Sequence, residues 1–188
     1  MFTKILVAID HSAAKQKVFD AALSLAQALP ANLLLLHVLS TEEEDSPPLG
    51  TYLAHHKNRI LHVDPQIMRM ADELYEEEWE VYQQKGRELL DFFVNQAAAA
   101  GIQAESKQVT GHPSSAICDV AHSCQADVIV IGRRGYSGLK EMFLGSVSNY
   151  VVHHAPCSIL LVQTYIAESE STEEDEEDIE SMETNASA

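Results

Sequence analysis

The sequence predicts an α/β domain: a doubly wound, five-stranded parallel sheet in the order 3-2-1-4-5, with helices on both faces. Two observations predict it. Short apolar runs recur along the chain (Ile5–Ile9, Leu33–Leu39, Val128–Ile131, Ile159–Val162), the pattern of strands buried on both faces of a parallel sheet. Segments with helical spacing separate those runs, so strand and helix alternate from one end to the other. Right-handed crossovers then distribute the helices over both faces.

Ile5 to Ile9 is the first strand, and Asp10 or Ser12 after it can cap the next helix. That helix carries Val18, Ala22, Leu25 and Leu29 at helical spacing and stops before Pro30. Leu33 to Leu39 is the second strand. Thr41 to about Asp64 breaks the alternation, being first acidic and Pro-punctuated and then His-containing. Asp64-Pro65 reads as an N-cap followed by the proline of a first helical turn. Helical spacing then continues through Ile67, Met70, Leu74, Val81, Leu89, Phe92, Phe93 and Ala97 to Gly101. A straight helix of that length is roughly 50 Å long, more than a domain of this size covers. The reading is a bend near Gly86 or a projecting first half. Ile102 to Thr110 is a more polar strand, suited to a sheet edge. A helix opens at Gly111-His112-Pro113-Ser114, and Asp127 to Ile131 is the fourth strand. A Gly- and Arg-rich loop leads to a helix starting at Gly145-Ser146, and Ile159 to Val162 is the fifth strand.

Composition narrows the function. The chain has 188 residues, 29 acidic against 12 basic, for a net charge of -17. That balance repels phosphate polymers and anionic lipid, which disfavours nucleic-acid and membrane-surface binding. No apolar run is long enough to span a bilayer, and no signal-type segment opens the chain. The three cysteines (Cys118, Cys124, Cys157) have no metal-type pairing and read as reduced core thiols. These points describe a soluble, intracellular domain over residues 1–165. Residues 166–188 hold ten acids and no base, too charged and too poor in apolar residues to fold, and read as a disordered tail.

In open α/β sheets, ligands sit beyond the carboxyl ends of the strands, where strand order reverses. With strands one and four as neighbours, two segments converge there. One is Ala8-Ile9-Asp10; the other runs from Ile131-Gly132 through the Gly-rich loop to the helix start at Gly145. The second segment favours an anion. Gly132, Gly135 and Gly138 permit positive φ and close approach of backbone amides to a phosphate. Gly145-Ser146 places amides and a hydroxyl at a helix N-terminus, and Arg133 and Arg134 add positive charge. A plain Gly-rich turn with solvated arginines is the other reading. No Walker-type phosphate loop, dinucleotide fingerprint or hydrolase nucleophile elbow is present.

Gly132-x2-Gly135-x9-Gly145-Ser146 resembles the glycine pattern of the ATP-binding branch of the universal stress protein family. So do Lys4-Ile-Leu-Val-Ala-Ile-Asp-His-Ser at the start, Leu36-His37-Val38 in the second strand, and His154-Ala-Pro-Cys near the end. The resemblance covers roughly residues 1–39 and 86–163. It implies an adenine nucleotide alpha hydrolase-like fold, a cytoplasmic homodimer, and binding of ATP with Mg2+ or Mn2+ in stress survival. By position, Asp10 contacts the adenosine, and Ala8 and Val38 line the adenine beside Ile9. Ile131, Gly132, Arg134 and Gly135 surround the phosphates, which Gly145, Ser146, Val147 and Ser148 hold from the helix start. Some family members carry proline where Ala8 stands. The family does not account for the 41–64 insertion or for the tail.

Asp10 as a plain helix cap remains open and is compatible with binding. Dimers of the family often pair through the last strand, here the apolar edge Ile159 to Val162. The expected function is a nucleotide-dependent regulatory module. A slow ATPase, a sensor of AMP or a cyclic nucleotide, and a nucleotide-free scaffold stand as alternatives. His55, His56, His62, His153 and His154 offer no local spacing for a metal site, and read as solvated or capping. Tyr75, Trp79 and Tyr82 read as packing or interface residues of the long helix.

Overall fold

The computed structural model describes residues 2–41, 43, 46–47, 65–133 and 144–163. Five parallel strands are β1 (Lys4–Ala8), β2 (Asn32–Leu39), β3 (Ala104–Thr110), β4 (Val128–Arg133) and β5 (Ser158–Gln163). They stand in the order β3-β2-β1-β4-β5, the expected one with strands one and four as neighbours. The helices are α1 (Lys15–Ala28), α2 (Pro65–Ala99), α3 (Pro113–Cys124) and α4 (Ser146–His154). Registers such as Val7 beside Leu35 and Val130 hold the central strands together.

Strand alternation sends successive side chains to opposite faces. Ile5, Val7, Leu33, Leu35, Val128 and Val130 pack with Val18 and Phe19 of α1 and with Leu90, Phe93 and Ala97 of α2. Leu6, Leu36, Val38, Ile129 and Ile131 pack on the other side against Ile117 and Val120 of α3 and Val151 of α4. Phe19 and Phe93 meet at a ring-centroid distance of 4.6 Å, which locks α1 to α2. Among the described residues, no helix is long and apolar enough to cross a membrane.

The long helix is a single element of 35 residues. Its first half projects: Gln66, Arg69, Met70 and Leu74 are exposed. Buried positions begin at Tyr82 and continue through Gly86, Leu90, Phe93 and Ala97. Tyr75 stacks on Trp79, whose ring leans on Tyr82, so the aromatics of this helix do pack on one another. Gly86 has a packing reason. A β-carbon there would meet His37 and Gln108 well inside contact distance, so the glycine lets α2 lie close on β2 and β3.

Two local expectations are corrected. Neither Asp10 nor Ser12 caps α1, whose N-cap is Ala14 with no side-chain cap hydrogen bond. Asp10 Oδ1 instead accepts the Ser12 amide at 3.1 Å, closing an Asx-type turn one step earlier. Gly132 is not in the left-handed region, which among the described glycines is occupied by Gly101 (φ 76°) and Gly111 (φ 153°). Close approach is its role: a β-carbon there would sit 3.0 Å from Val18 Cγ2.

The three cysteines are free and half-buried, and burial pushes the Cys118 and Cys157 thiols up, away from the reactive thiolate. Asp127 ties the start of β1 down. Its Oδ2 accepts the Thr3 amide at 2.7 Å, the Lys4 amide at 2.9 Å and the Thr3 hydroxyl at 3.0 Å. The two backbone amides, Thr3 first, hold its carboxyl below the ordinary range. A lowered folded pKa gives stability that is complete above the unfolded value, near about pH 4, and lost as pH falls through the folded one. Asp127→Asn is therefore expected to lower the urea midpoint at neutral pH, with the gap from wild type closing below about pH 4.

Candidate functional site

A cavity of about 290 Å³ opens beyond the carboxyl ends of β1 and β4. Chain order reverses there: the chain leaves β1 for β2 on one side, and returns from β3 to β4 on the other. No ladder bond spans the gap that opens past the strand ends, which is why this point of a doubly wound sheet is concave.

Each wall has a local cause. Ile9 continues β1 by donating its amide to the Leu36 carbonyl at 2.9 Å, so Ala8, Ile9 and Asp10 end at a fixed height. Leu36 and Val38 supply an apolar wall from β2, and Ile117 extends it from α3. The floor is Ile131 and Gly132 of β4, where the missing β-carbon leaves room for Val18 of α1. The last wall is the N-terminus of α4. Gly145 is its N-cap in extended conformation, without a side-chain cap bond. The Asn149 amide makes the first bond of that turn, to the Gly145 carbonyl at 2.8 Å. The preceding amides of the first turn therefore have no intrahelical acceptor. Ser148, 3% exposed, donates its hydroxyl to the Gly145 carbonyl at 3.0 Å, and Ser146 is exposed at the rim. One side of the cavity thus suits a flat apolar group. The other presents amides, hydroxyls and a positive helix end to an anion.

Ten residues singled out from the sequence line this one cavity: Ala8, Ile9, Asp10, Val38, Ile131, Gly132, Gly145, Ser146, Val147 and Ser148. Arg134 and Gly135, with Gly138, lie outside the described residues. So do His55, His56 and His62, and the tail from 166 to 188. His153 and His154 are exposed on α4, and His154 Nδ1 bonds the Tyr150 carbonyl one turn back at 2.8 Å.

Arg133, read from the sequence as positive charge in the Gly-rich segment, lines the cavity, which also has walls that the motifs did not reveal, among them Ser12, Ala14, Pro113 and Glu43. Arg133 is the last residue of β4. Pro113, just beyond the positive-φ Gly111, was legible as a helix start but not as a wall. Glu43 comes from the first turn of the acidic insertion, where nothing in the local sequence separates it from its acidic neighbours.

Fold and cavity together define a class: doubly wound α/β domains whose ligand pocket lies at the switch point between the first and fourth strands. The universal stress protein family matches residues 1–61 and 58–163, and the chain belongs to that family. It is 34% identical over 162 residues to the universal stress protein Sll1388 of Synechocystis sp., covering 86% of this chain and 98% of that one. Two solved structures share the fold. One is a universal stress protein in complex with cAMP, with a TM-score of 0.56 at 22% identity, covering 87% of this chain and 98% of that one. The other is a family protein of Arabidopsis thaliana with AMP bound, with a TM-score of 0.53 at 23% identity, covering 90% and 97%.

Proposed function

We propose that this protein binds ATP, with Mg2+ or Mn2+ on its phosphates, and acts as a nucleotide-dependent regulatory module in the stress response. The convergence of ten sequence-selected residues on one cavity carries this reading. In it, Ala8 and Val38 flank the adenine and Asp10 turns to the ribose. A carboxylate belongs at that end, since beside the triphosphate it would only repel. The amides of Gly145 to Ser148 hold the phosphates, with Gly132, Arg134 and Gly135 on the opposite side. ATP in particular is supported by the full Gly132-x2-Gly135-x9-Gly145-Ser146 spacing.

A sensor of AMP or a cyclic nucleotide is the second reading. It is supported by the two proteins of this fold that carry cAMP and AMP. Titration calorimetry on nucleotide-free protein separates the two, with Mg-ATP, ADP, AMP and cAMP run in parallel. The proposal expects saturable heat with ATP preferred. Preference for AMP or cAMP would replace it with the second reading, and no heat from any nucleotide would leave a scaffold. Hydrolysis is not part of the proposal: among the described residues of the motif segments, the carboxylate at the cavity is Asp10, and it is assigned to the ribose end.

The regulatory unit is proposed to be a homodimer through the last strand. β5 has β4 on one side only, and Leu160 on it is 36% exposed. An apolar strand edge left open invites pairing with another chain. Light scattering at micromolar concentration is expected to give the mass of two chains, and a monomeric mass would remove this part of the reading.

A further inference from the structure

Behind the β2 wall of the cavity, three residues from separate segments meet. His11 comes just after β1, His37 lies in β2, and Glu43 begins the insertion. One ligand-type atom from each lies within 4.8 Å of the others. We propose that His11, His37 and Glu43 form a binding site for a divalent transition metal of the zinc class, held by the protein alone and independent of any nucleotide.

Charge is the first argument. The Glu43 side chain is only 8% exposed and that of His37 is 0% exposed. A buried carboxylate needs compensating positive charge. Among the described residues its carboxylate meets the His37 ring, Nε2 to Oε2 at 3.2 Å, and the Tyr82 hydroxyl. Neither is a standing cation. The Gln108 amide nitrogen donates to the Gln83 carbonyl at 3.1 Å and also faces His37 Nδ1 at 3.2 Å. Nδ1 therefore faces a donor, and Nε2 is the ring nitrogen turned to Glu43. A dication would supply positive charge that the described partners of Glu43 do not.

Geometry is the second. Two imidazole nitrogens and a carboxylate oxygen are a borderline donor set, suited to Zn2+, Co2+ or Ni2+ and poor for Mg2+. Ligands at about 2.0–2.1 Å from zinc in a tetrahedron stand about 3.3 Å apart, close to the His37–Glu43 separation. The rings of His11 and His37 meet edge to face with centroids 5.1 Å apart. Three protein ligands leave a fourth position open, and Glu43 also lines the nucleotide cavity. A supporting shell exists: Tyr82 fixes Glu43, and Gln108 fixes His37. With metal on Nε2, the ring carries its proton on Nδ1. The Gln108 amide turns over to accept it through oxygen, giving up its bond to Gln83.

The test uses the full chain, stripped with chelator and free of nucleotide, titrated with Co2+ and followed by its visible absorption. One equivalent with the strong bands of a four-coordinate site is expected, displaced by Zn2+ and not by Mg2+. Glu43→Gln and His11→Asn, with folding checked by circular dichroism, should each weaken binding roughly tenfold or more. Replacing His153 and His154 by Asn should change nothing. Absence of saturable bands overturns the site; if Glu43→Gln then still lowers Tm, the cluster is a hydrogen-bonded buttress only. Bands that survive His11→Asn, His37→Gln and Glu43→Gln overturn it equally, since the metal then sits elsewhere.

Discussion

Gly86→Ala is expected to destabilise the protein by about 2 kcal/mol, although alanine is the better helix former by about 1 kcal/mol. The sign is decided across the helix–sheet interface. A β-carbon at position 86 lands 2.6 Å from His37 Cε1, and nearer still to His37 Nδ1 and Gln108 Nε2. Gln108 is the end of a flexible side chain and can retreat. The His37 ring cannot: it is fully buried, bonded to Glu43 through Nε2 and facing Gln108 through Nδ1. Overpacking against such a group costs about 1–3 kcal/mol and sometimes more. At about 3 kcal/mol it outweighs the propensity gain, and thermal unfolding should show a Tm lower by roughly 4–8 °C. His37→Ala in the same background should give back part of the loss, so a double-mutant cycle shows coupling between the two positions. A higher Tm for Gly86→Ala alone would mean that α2 rides further from the sheet than this geometry has it.

The same glycine shows where sequence reading stops. A glycine inside a helical pattern marks either a bend or a close approach, and only the partner on the other element says which. That partner is 49 positions away in β2, where His37 interrupts an otherwise apolar strand. The strands themselves were legible because burial on both faces demands unbroken apolar runs. β3 was legible as an edge for the opposite reason: exposed Glu105, Ser106 and Lys107 mark a strand with one neighbour and a wet face. Helix caps were less legible. Asp10 and Ser12 have the chemistry of an N-cap, but the chain makes one more turn before α1 begins at Lys15.

The candidate site divides along the same line. Its anion side is written in contiguous residues, since a helix N-terminus is made by neighbours such as Gly145 to Ser148. The apolar wall was legible only through the family resemblance, because Ala8 and Val38 look like any strand residues, and Leu36 was not legible as a wall at all. Glu43, His11 and His37 could not be grouped at all. They belong to three segments, and only the register of β1 beside β2, with the turn that Tyr82 fixes at Ser40, brings them together. Metal-type geometry arises from topology as readily as from a motif.

Ser146→Asp separates binding from folding more sharply than any truncation. Ser146 is the first helical residue of α4, exposed, and on the cavity rim. A carboxylate in the first turn favours the helix dipole by about 0.3–1 kcal/mol, so Tm should hold or rise. The same carboxylate occupies the place proposed for the nucleotide's phosphates. Two unit charges about 5 Å apart at an effective dielectric near 20 repel by about 3 kcal/mol, more than a hundredfold in affinity. Calorimetry with Mg-ATP should therefore lose its heat while the protein stays folded. The deficit should shrink as salt rises, because an exposed charge is screened. Ser146→Ala, which removes the hydroxyl and keeps the amides, should cost far less. If the aspartate variant binds like wild type, the phosphates do not rest on α4 and the orientation proposed for the nucleotide is reversed or wrong. If both variants lose binding equally, the hydroxyl rather than the helix end carries the contact, and the anion site must be rebuilt around Ser146 itself.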